Sequence, residues 1–217
     1  MSKIERAKEK LADLGRQMYQ SGLVAGTWGN LSLLVREEKA VVITPSGMDY
    51  TAVQPSDMVV LELDGQVIGG HRRPSSEARV HLAIYRARAD IGGVVHTHSE
   101  VASAFAVLRK RIDPVVEDAA MLVAGAVEVA EYALPGSEQL GHNVAAALGD
   151  RYAVLMANHG LVGVGRTLEE AFTVCQVVEK NARILAWAQA LGQPFVIPEQ
   201  DVAELSRAYR QSYGQPK

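Results

Sequence analysis

Residues 91–99 read IGGVVHTHS, and this stretch carries information about both the fold and the chemistry of the chain. The apolar run predicts a buried strand, which ends in His96 and His98. Residues i and i+2 of a strand point to the same face, so the two imidazoles can bind one metal ion. A polar pair at the mouth of a strand would have the same pattern, and the rest of the sequence has to separate these two interpretations.

Short apolar runs elsewhere in the chain predict further strands, several of them in hairpins. LSLLV and AVVIT flank the charged turn REEK, and MVVLEL and QVIGG flank Asp64-Gly65. YAVLMANHG is followed directly by LVGVG, and a shorter strand is expected within VEVAEYA, in an otherwise ambiguous region at 113–134. Such close spacing favours antiparallel pairing.

Helical periodicity separates these strands. Residues 3–20 have an amphipathic pattern that stops near Gly22, and a second helix is expected after Pro74, with Ser75 or Ser76 near its cap. Further helices are predicted at 100–110, 137–148, 167–192 and 198–214. Strands interleaved with helices predict an α/β fold, a single domain over 1–217 with a sheet covered by helices on its faces.

Composition excludes several classes of function. The net charge is −3 with no block of like charges, so no nucleic-acid or anionic-membrane partner is expected. No apolar run approaches the ~18 residues of a membrane span, and the charged N-terminus is unlike a secretory signal. The single cysteine, Cys175, excludes an intramolecular disulfide and fits a cytoplasmic location, and its helical context predicts a packing role.

A second strand end carries a histidine. His159 follows the apolar run of YAVLMANHG and precedes a glycine. Together with His96 and His98 it could supply three imidazoles to one ion, which is the pattern of a catalytic zinc site. The alternative is that His159 caps its strand through backbone hydrogen bonds.

Glu77, in the motif PSSE, is the candidate carboxylate. Its position at a helix start is equally typical of a glutamate that stabilises the first helical turn. His81, four residues later, is expected to be a helix-surface or packing residue. His71 and His142 stand in polar contexts and are expected to be solvated.

Three short stretches rich in glycine and hydroxyl groups could bind a phosphate through backbone N–H groups. They are GTWGN at 26–30, TPSG at 44–47 and Ser75-Ser76. Each of them alone is also typical of an ordinary turn. The nucleotide-binding glycine motifs are not present, which argues against an NTPase or a dinucleotide enzyme.

The motifs GTWGNLS, ITPSGMDY, PSSE, VVHTHS, EYALPGSEQL and ANHGLVGVG occur in an order that resembles the class II aldolase/adducin family. The resemblance implies one mostly antiparallel sheet flanked by helices, in a homotetramer with active sites at the interfaces. It implies a zinc ion held by Glu77, His96, His98 and His159. It also implies a phosphate pocket formed by Gly29, Asn30, Ser46, Gly47, Ser75 and Ser76.

The activity that this resemblance implies is cleavage of a ketose 1-phosphate, a small sugar phosphate, into dihydroxyacetone phosphate and an aldehyde. Zinc would polarise the substrate carbonyl, and Glu77 would act as general acid and base. A 4-epimerase, a sugar-acid phosphate decarboxylase or a dehydratase could use the same metal site. A non-catalytic adducin-like module is the remaining alternative.

One region departs from the family pattern. Aldolases of this family carry a tyrosine from a neighbouring subunit soon after an Ile-Pro segment, and here Glu117 or Asp118 occupies about that place. We expect one of these carboxylates to act at the aldehyde oxygen, the alternative being that both are surface charges. Tyr213 matches the C-terminal tyrosine with which the family closes its site.

Overall fold

The computed structural model describes residues 1–212, with the exception of the side chain of Ser212. The helices are α1 (Lys3–Gln20), α2 (Ala78–Ala87), α3 (Glu100–Val107), α4 (Glu117–Val123), α5 (Glu138–Leu148), α6 (Leu168–Leu191) and α7 (Glu199–Ser212). The strands are β1 (Asn30–Val35), β2 (Ala40–Ile43), β3 (Val59–Glu62), β4 (Val67–Gly69), β5 (Gly93–Thr97), β6 (Glu128–Ala130), β7 (Ala153–Met156) and β8 (Gly160–Gly165). Short 3-10 turns cover Arg36–Glu38 and Pro55–Asp57.

All of these strands lie in one sheet with the order β4-β3-β2-β1-β5-β8-β7-β6. The predicted hairpins are confirmed, because β1 pairs with β2, β3 with β4 and β7 with β8, each antiparallel. The predicted strand in VEVAEYA is shorter than its motif and pairs with β7 in parallel. A parallel neighbour requires a crossover connection, and α5 supplies it between β6 and β7.

Strand β5 lies in the middle of the sheet, between β1 and β8, and helices cover both of its faces. Ser32 pairs with Val94 in the ladder and contacts α2 through its hydroxyl, so the α2 face carries the even-numbered residues of β5. Val95 pairs with Gly163, where an added Cβ would meet Cys175 of α6 at 2.5 Å. The expected arrangement of a mostly antiparallel sheet between two helical layers is therefore confirmed.

Cys175 is buried on α6, as a packing role predicts, and its thiol donates to the carbonyl of Val95 at 3.5 Å. Helix α1 has the predicted bounds and begins at Ser2, whose hydroxyl accepts from the N–H of Glu5. Helix α2 begins at Ala78, so Glu77 is its N-cap residue rather than a member of its first turn. None of the described helices is both long and apolar enough to cross a membrane.

Candidate metal centre

Four side chains converge at the end of β5. Glu77, His96, His98 and His159 each present one ligand atom, and these atoms all lie within 4.8 Å of one another. Glu77 Oε2 lies 3.0 Å from His96 Nε2, and Glu77 Oε1 lies 3.1 Å from His159 Nε2. The two ring nitrogens His96 Nε2 and His98 Nε2 are 2.9 Å apart. The structure thus brings together the four residues that the family resemblance predicted.

Each of these residues is held by a different element of the fold. His96 is on β5, and His98 follows the strand, where its backbone N–H donates to Leu23 at 3.1 Å. His159 lies in the turn between β7 and β8, after Asn158, whose φ is +55°. Glu77 approaches from the start of α2 and offers no capping hydrogen bond to that helix. Its side chain is therefore free to face the histidines.

Two glycines allow the chain to pass close to His96. An added Cβ at Gly29, where φ is +78°, would lie 2.8 Å from the carbonyl oxygen of His96. An added Cβ at Gly160 would lie 2.3 Å from the carbonyl oxygen of Thr97 and 3.2 Å from the His96 ring. The two distances to carbonyl oxygens are shorter than ordinary packing allows, so a side chain at either glycine would displace the strand end that carries His96.

The lone pairs and the carboxylate that face the centre of the cluster suit a bound cation. His96 Nδ1 lies 2.9 Å from the carbonyl oxygen of Leu161, which can only accept, so this nitrogen carries the ring proton. In the neutral ring, Nε2 then points a lone pair towards Glu77 and His98. Glu77 Oε1 is buried, and its 3.1 Å contact with His159 Nε2 lacks the geometry of a hydrogen bond, so this oxygen has no hydrogen-bond partner among the described residues. A carboxylate and three imidazoles are ligands that suit zinc and other divalent transition ions.

Burial and charge act in opposite directions on these groups. Burial alone would raise the pKa of Glu77, but His96, His159 and Asn30 outweigh it and hold the pKa well below its usual range. Burial, reinforced by the neighbouring histidines, lowers the pKa of His98 to about 3 and also lowers that of His159. For His96, burial is overcome by the charge and hydrogen bond of Glu77, so its pKa is raised.

His81 is fully buried, as the packing alternative predicted, but sequence reasoning missed its place in a hydrogen-bond network. Its two ring nitrogens contact Ser32 Oγ at 2.6 Å and Asn30 Oδ1 at 2.5 Å. Asn30 in turn donates to Glu77 Oε2 at 3.0 Å. The fact that His81 lies one helical turn after Glu77, on the same face, was the signal that could have revealed this link.

The three stretches proposed for phosphate lie side by side. Thr44 of the second stretch lies beside the end of the first, because its hydroxyl accepts at 3.1 Å from the N–H of Leu31, the residue that follows the first stretch. The N–H of Ser75 donates to the carbonyl of Thr44 at 3.1 Å, which joins the third stretch to the second. The exposed predicted residues at this junction are Ser46, Gly47 and Ser76, whereas Gly29 is half-buried and Asn30 and Ser75 are buried. The side chain of Asn30 is engaged by Glu77 and His81.

The predicted carboxylates of the departing region do not join the cluster of their own chain. Glu117 and Asp118 form the first turn of α4, where Asp118 pairs with Lys180 of α6. A role at a neighbouring subunit's site stays a prediction. Tyr213 lies outside the described residues.

A buried carboxylate that no sequence motif singled out supports the helix that follows the histidine strand. Glu179 of α6 is buried, and its two oxygens accept from the N–H groups of Val101 at 3.0 Å and Ala102 at 2.9 Å. These N–H groups belong to the first turn of α3, the helix that begins two residues after His98. An aromatic ring, Trp28, also faces His98, with ring centroids 5.7 Å apart, and it is largely exposed.

A sheet covered by helices on both faces, with a Glu-His-His-His cluster at one strand end, is the arrangement of the class II aldolases. The chain belongs to this family: the profile of the Class II Aldolase and Adducin N-terminal domain matches residues 9–186.

Relatives and solved structures agree with this assignment. The chain is 39% identical over 212 residues to a 5-deoxy-D-ribulose 1-phosphate aldolase of Bacillus thuringiensis serovar kurstaki, covering 98% of this chain and 99% of that one. It is 34% identical to a 5-methylthioribulose-1-phosphate/5-deoxyribulose-1-phosphate aldolase of Rhodospirillum rubrum, covering 94% and 90% of the two chains. A solved L-fuculose 1-phosphate aldolase superposes with a TM-score of 0.92 at 36% identity, over 97% of this chain and 98% of that one.

Proposed function

We propose that this protein is a metal-dependent aldolase that cleaves a ketose 1-phosphate between C3 and C4, giving dihydroxyacetone phosphate and an aldehyde. The observation that carries the proposal is the convergence of Glu77 with three histidines, including a buried carboxylate oxygen that has no hydrogen-bond partner among the described residues. The ion is proposed to be zinc, held by Glu77, His96, His98 and His159. A bound divalent ion supplies a Lewis acid for the substrate carbonyl.

The chain's own residues then have separate tasks. The exposed residues of the junction between residues 44–47 and 75–76, which are Ser46, Gly47 and Ser76, bind the phosphate, so that remote binding positions the reacting carbons. Glu77 moves the proton at C3 of the dihydroxyacetone phosphate part. It is available for this task because His96, His98 and His159 would still hold the ion. Glu117 or Asp118 of a neighbouring subunit, together with Tyr213, handles the proton on the aldehyde oxygen.

The substrate we propose is a 5-deoxypentulose 1-phosphate. Two relatives that match almost the whole chain are named for 5-deoxyribulose 1-phosphate. Cleavage of that compound between C3 and C4 gives dihydroxyacetone phosphate and acetaldehyde. A terminal methyl group in place of a hydroxymethyl group needs an apolar contact, and the exposed ring of Trp28, whose centroid lies 5.7 Å from that of His98, offers one.

The assembly is proposed by analogy with the family, and the location is proposed from the single cysteine in the composition. The catalytic unit is a homotetramer of 1–217 domains with active sites between subunits, and it works in the cytoplasm. Exposed apolar side chains at the end of α6 and just beyond it, Trp187, Leu191 and Phe195, are consistent with a surface that a second copy covers.

The test is a substrate panel with the zinc-loaded protein. We expect 5-deoxyribulose 1-phosphate to release dihydroxyacetone phosphate, detected with a coupled dehydrogenase, and release to stop when the metal is chelated. L-fuculose 1-phosphate and L-ribulose 5-phosphate serve as comparison substrates. Conversion of L-ribulose 5-phosphate to its 4-epimer, with no dihydroxyacetone phosphate from either ketose 1-phosphate, would assign the epimerase reaction instead.

A further inference from the structure

A directional chain of hydrogen bonds leads from the interior of the protein to Glu77. Glu77 is ionised, so its carboxylate accepts, and Asn30 must therefore turn its amide NH2 group towards it. The amide oxygen of Asn30 then faces His81, and this oxygen can only accept a hydrogen bond. His81 Nε2 must consequently carry the ring proton and donate to Asn30.

The donors and acceptors in the rest of this series of hydrogen bonds follow from the same reasoning. With its proton on Nε2, the neutral ring of His81 accepts at Nδ1, so the hydroxyl of Ser32 donates to it. The hydroxyl of Tyr85 lies 2.8 Å from Ser32 Oγ and donates to the Ser32 carbonyl oxygen at 3.0 Å. Burial lowers the pKa of His81 to about 3, with the neighbouring His96 acting in the same direction, so the ring is neutral.

We infer that His81 is a positioning residue for the metal site: it fixes the orientation of the Asn30 amide, which fixes Glu77. An amide can rotate by half a turn at little steric cost, and in that orientation its oxygen would face the Glu77 carboxylate at about 3 Å and repel it. The Nε2–H of His81 forbids this rotation, because a donor would then face a donor. The inference rests on the proposed function in that Glu77 is taken to be a metal ligand.

The location of His81 suits this task. The side chain is fully buried between β1 and α2, where no water can replace a lost hydrogen bond at low cost. The network lies on the α2 face of the sheet, one strand away from His96, which pairs with Asn30 in the ladder. Loss of a direct partner of a metal ligand, here Asn30, typically lowers metal affinity by about 10–100-fold, and loss of His81 leaves Asn30 free to turn away from Glu77.

The test measures binding of Co²⁺ alone, by calorimetry and by the visible spectrum of the bound ion, so it needs no substrate. The variant His81→Phe keeps an aromatic ring at this position and removes the donor, and we expect its affinity for Co²⁺ to fall by about 10–100-fold. The matched control is Tyr85→Phe, a buried residue on the same helix and at the far end of the network. It leaves the bond from His81 to Asn30 intact, and its affinity should stay within about twofold of the wild type.

A double-mutant cycle separates positioning from a general loss of structure. If His81 acts through Glu77, then His81→Phe should weaken binding by less than about twofold in a Glu77→Gln background. An equal loss in both backgrounds, or no loss in either, would overturn the inference. Because wild-type metal binding and substrate cleavage are measured apart, failure of the aldolase assay leaves this result standing, and the reverse is also true.

A measurement on the unaltered protein remains decisive if His81→Phe does not fold. Nitrogen-15 NMR distinguishes a ring nitrogen that carries a proton from one with a lone pair. The expected result is His81 in the Nε2–H form, with His81→Gln used to assign the signal. A proton on Nδ1 would mean that His81 Nε2 accepts from the Asn30 amide and that the amide oxygen faces Glu77, which would overturn the inference.

Discussion

Removal of the Glu179 carboxylate tests how the fold holds its histidine strand. Glu179 is 6% exposed and accepts from two backbone N–H groups at the start of α3, at 3.0 Å and 2.9 Å. A hydrogen bond to a charged group contributes about 1.5–3 kcal/mol. Some of this is recovered in the variant, because the N–H group of the half-buried Val101 can bind water instead.

We therefore expect Glu179→Ala to lower the free energy of unfolding by about 2–4 kcal/mol. Glu179→Gln keeps a neutral acceptor for one of the two N–H groups and should lose about half as much. Since α3 begins two residues after His98, Glu179→Ala should also weaken zinc binding, which a purely remote defect would not do.

The assay is urea unfolding of the metal-free protein, followed by circular dichroism, with the midpoint and the slope fitted separately. The matched control is Glu169→Ala on the same helix, because Glu169 is exposed and makes a surface ion pair with Lys10. Its effect should stay below about 1 kcal/mol. A Glu179→Ala variant within about 0.5 kcal/mol of the wild type would refute the reasoning.

Three further predictions concern the site and the core. His96→Ala should lose most of its bound zinc by elemental analysis, whereas His71→Ala, an exposed histidine, should keep it; full occupancy in the first variant contradicts the ligand assignment. Of Asp118→Asn and Glu117→Gln, one should slow carbon–carbon cleavage far more than proton exchange on dihydroxyacetone phosphate, and an unchanged ratio in both removes the carboxylate role. Burial raises the pKa of the Cys175 thiol from its ordinary 9.0 to about 12, so the native protein should resist a thiol reagent at pH 8 that labels it in urea. Equal labelling rates in the native and the unfolded protein would contradict this protection. Because the thiol ionises first in the unfolded chain, the contribution of its burial to the free energy of unfolding is full below pH 9.0 and is lost as the pH rises towards 12.

Local patterns predicted most of the fold. Period-two and helical patterns located each hairpin and the long α6, because those elements bury a continuous apolar face. The shortened β6 and its parallel pairing with β7 were not predictable, because three residues carry too little pattern and a crossover through α5 depends on the whole sheet.

The site was predicted in part by spacing and in part by resemblance. The period of a strand was enough to pair His96 with His98, whereas the local pattern around Glu77 predicted only a capping residue. The structure shows it as the N-cap residue with its side chain turned to the histidines, an arrangement that requires the β5 end to be adjacent. His81 and Glu179 act through contacts with residues 51 and 77 positions away, which no local pattern reveals.

The most direct test of the central claim is exchange of the C3 proton of dihydroxyacetone phosphate with solvent. NMR in deuterated buffer would follow this exchange with the zinc-loaded protein and with zinc-loaded Glu77→Gln. The account predicts rapid exchange in the wild type and a loss of orders of magnitude in the variant, which keeps most of its metal because three histidines remain. Undiminished exchange in Glu77→Gln, at equal zinc content, would show that Glu77 does not move the proton and would contradict the account.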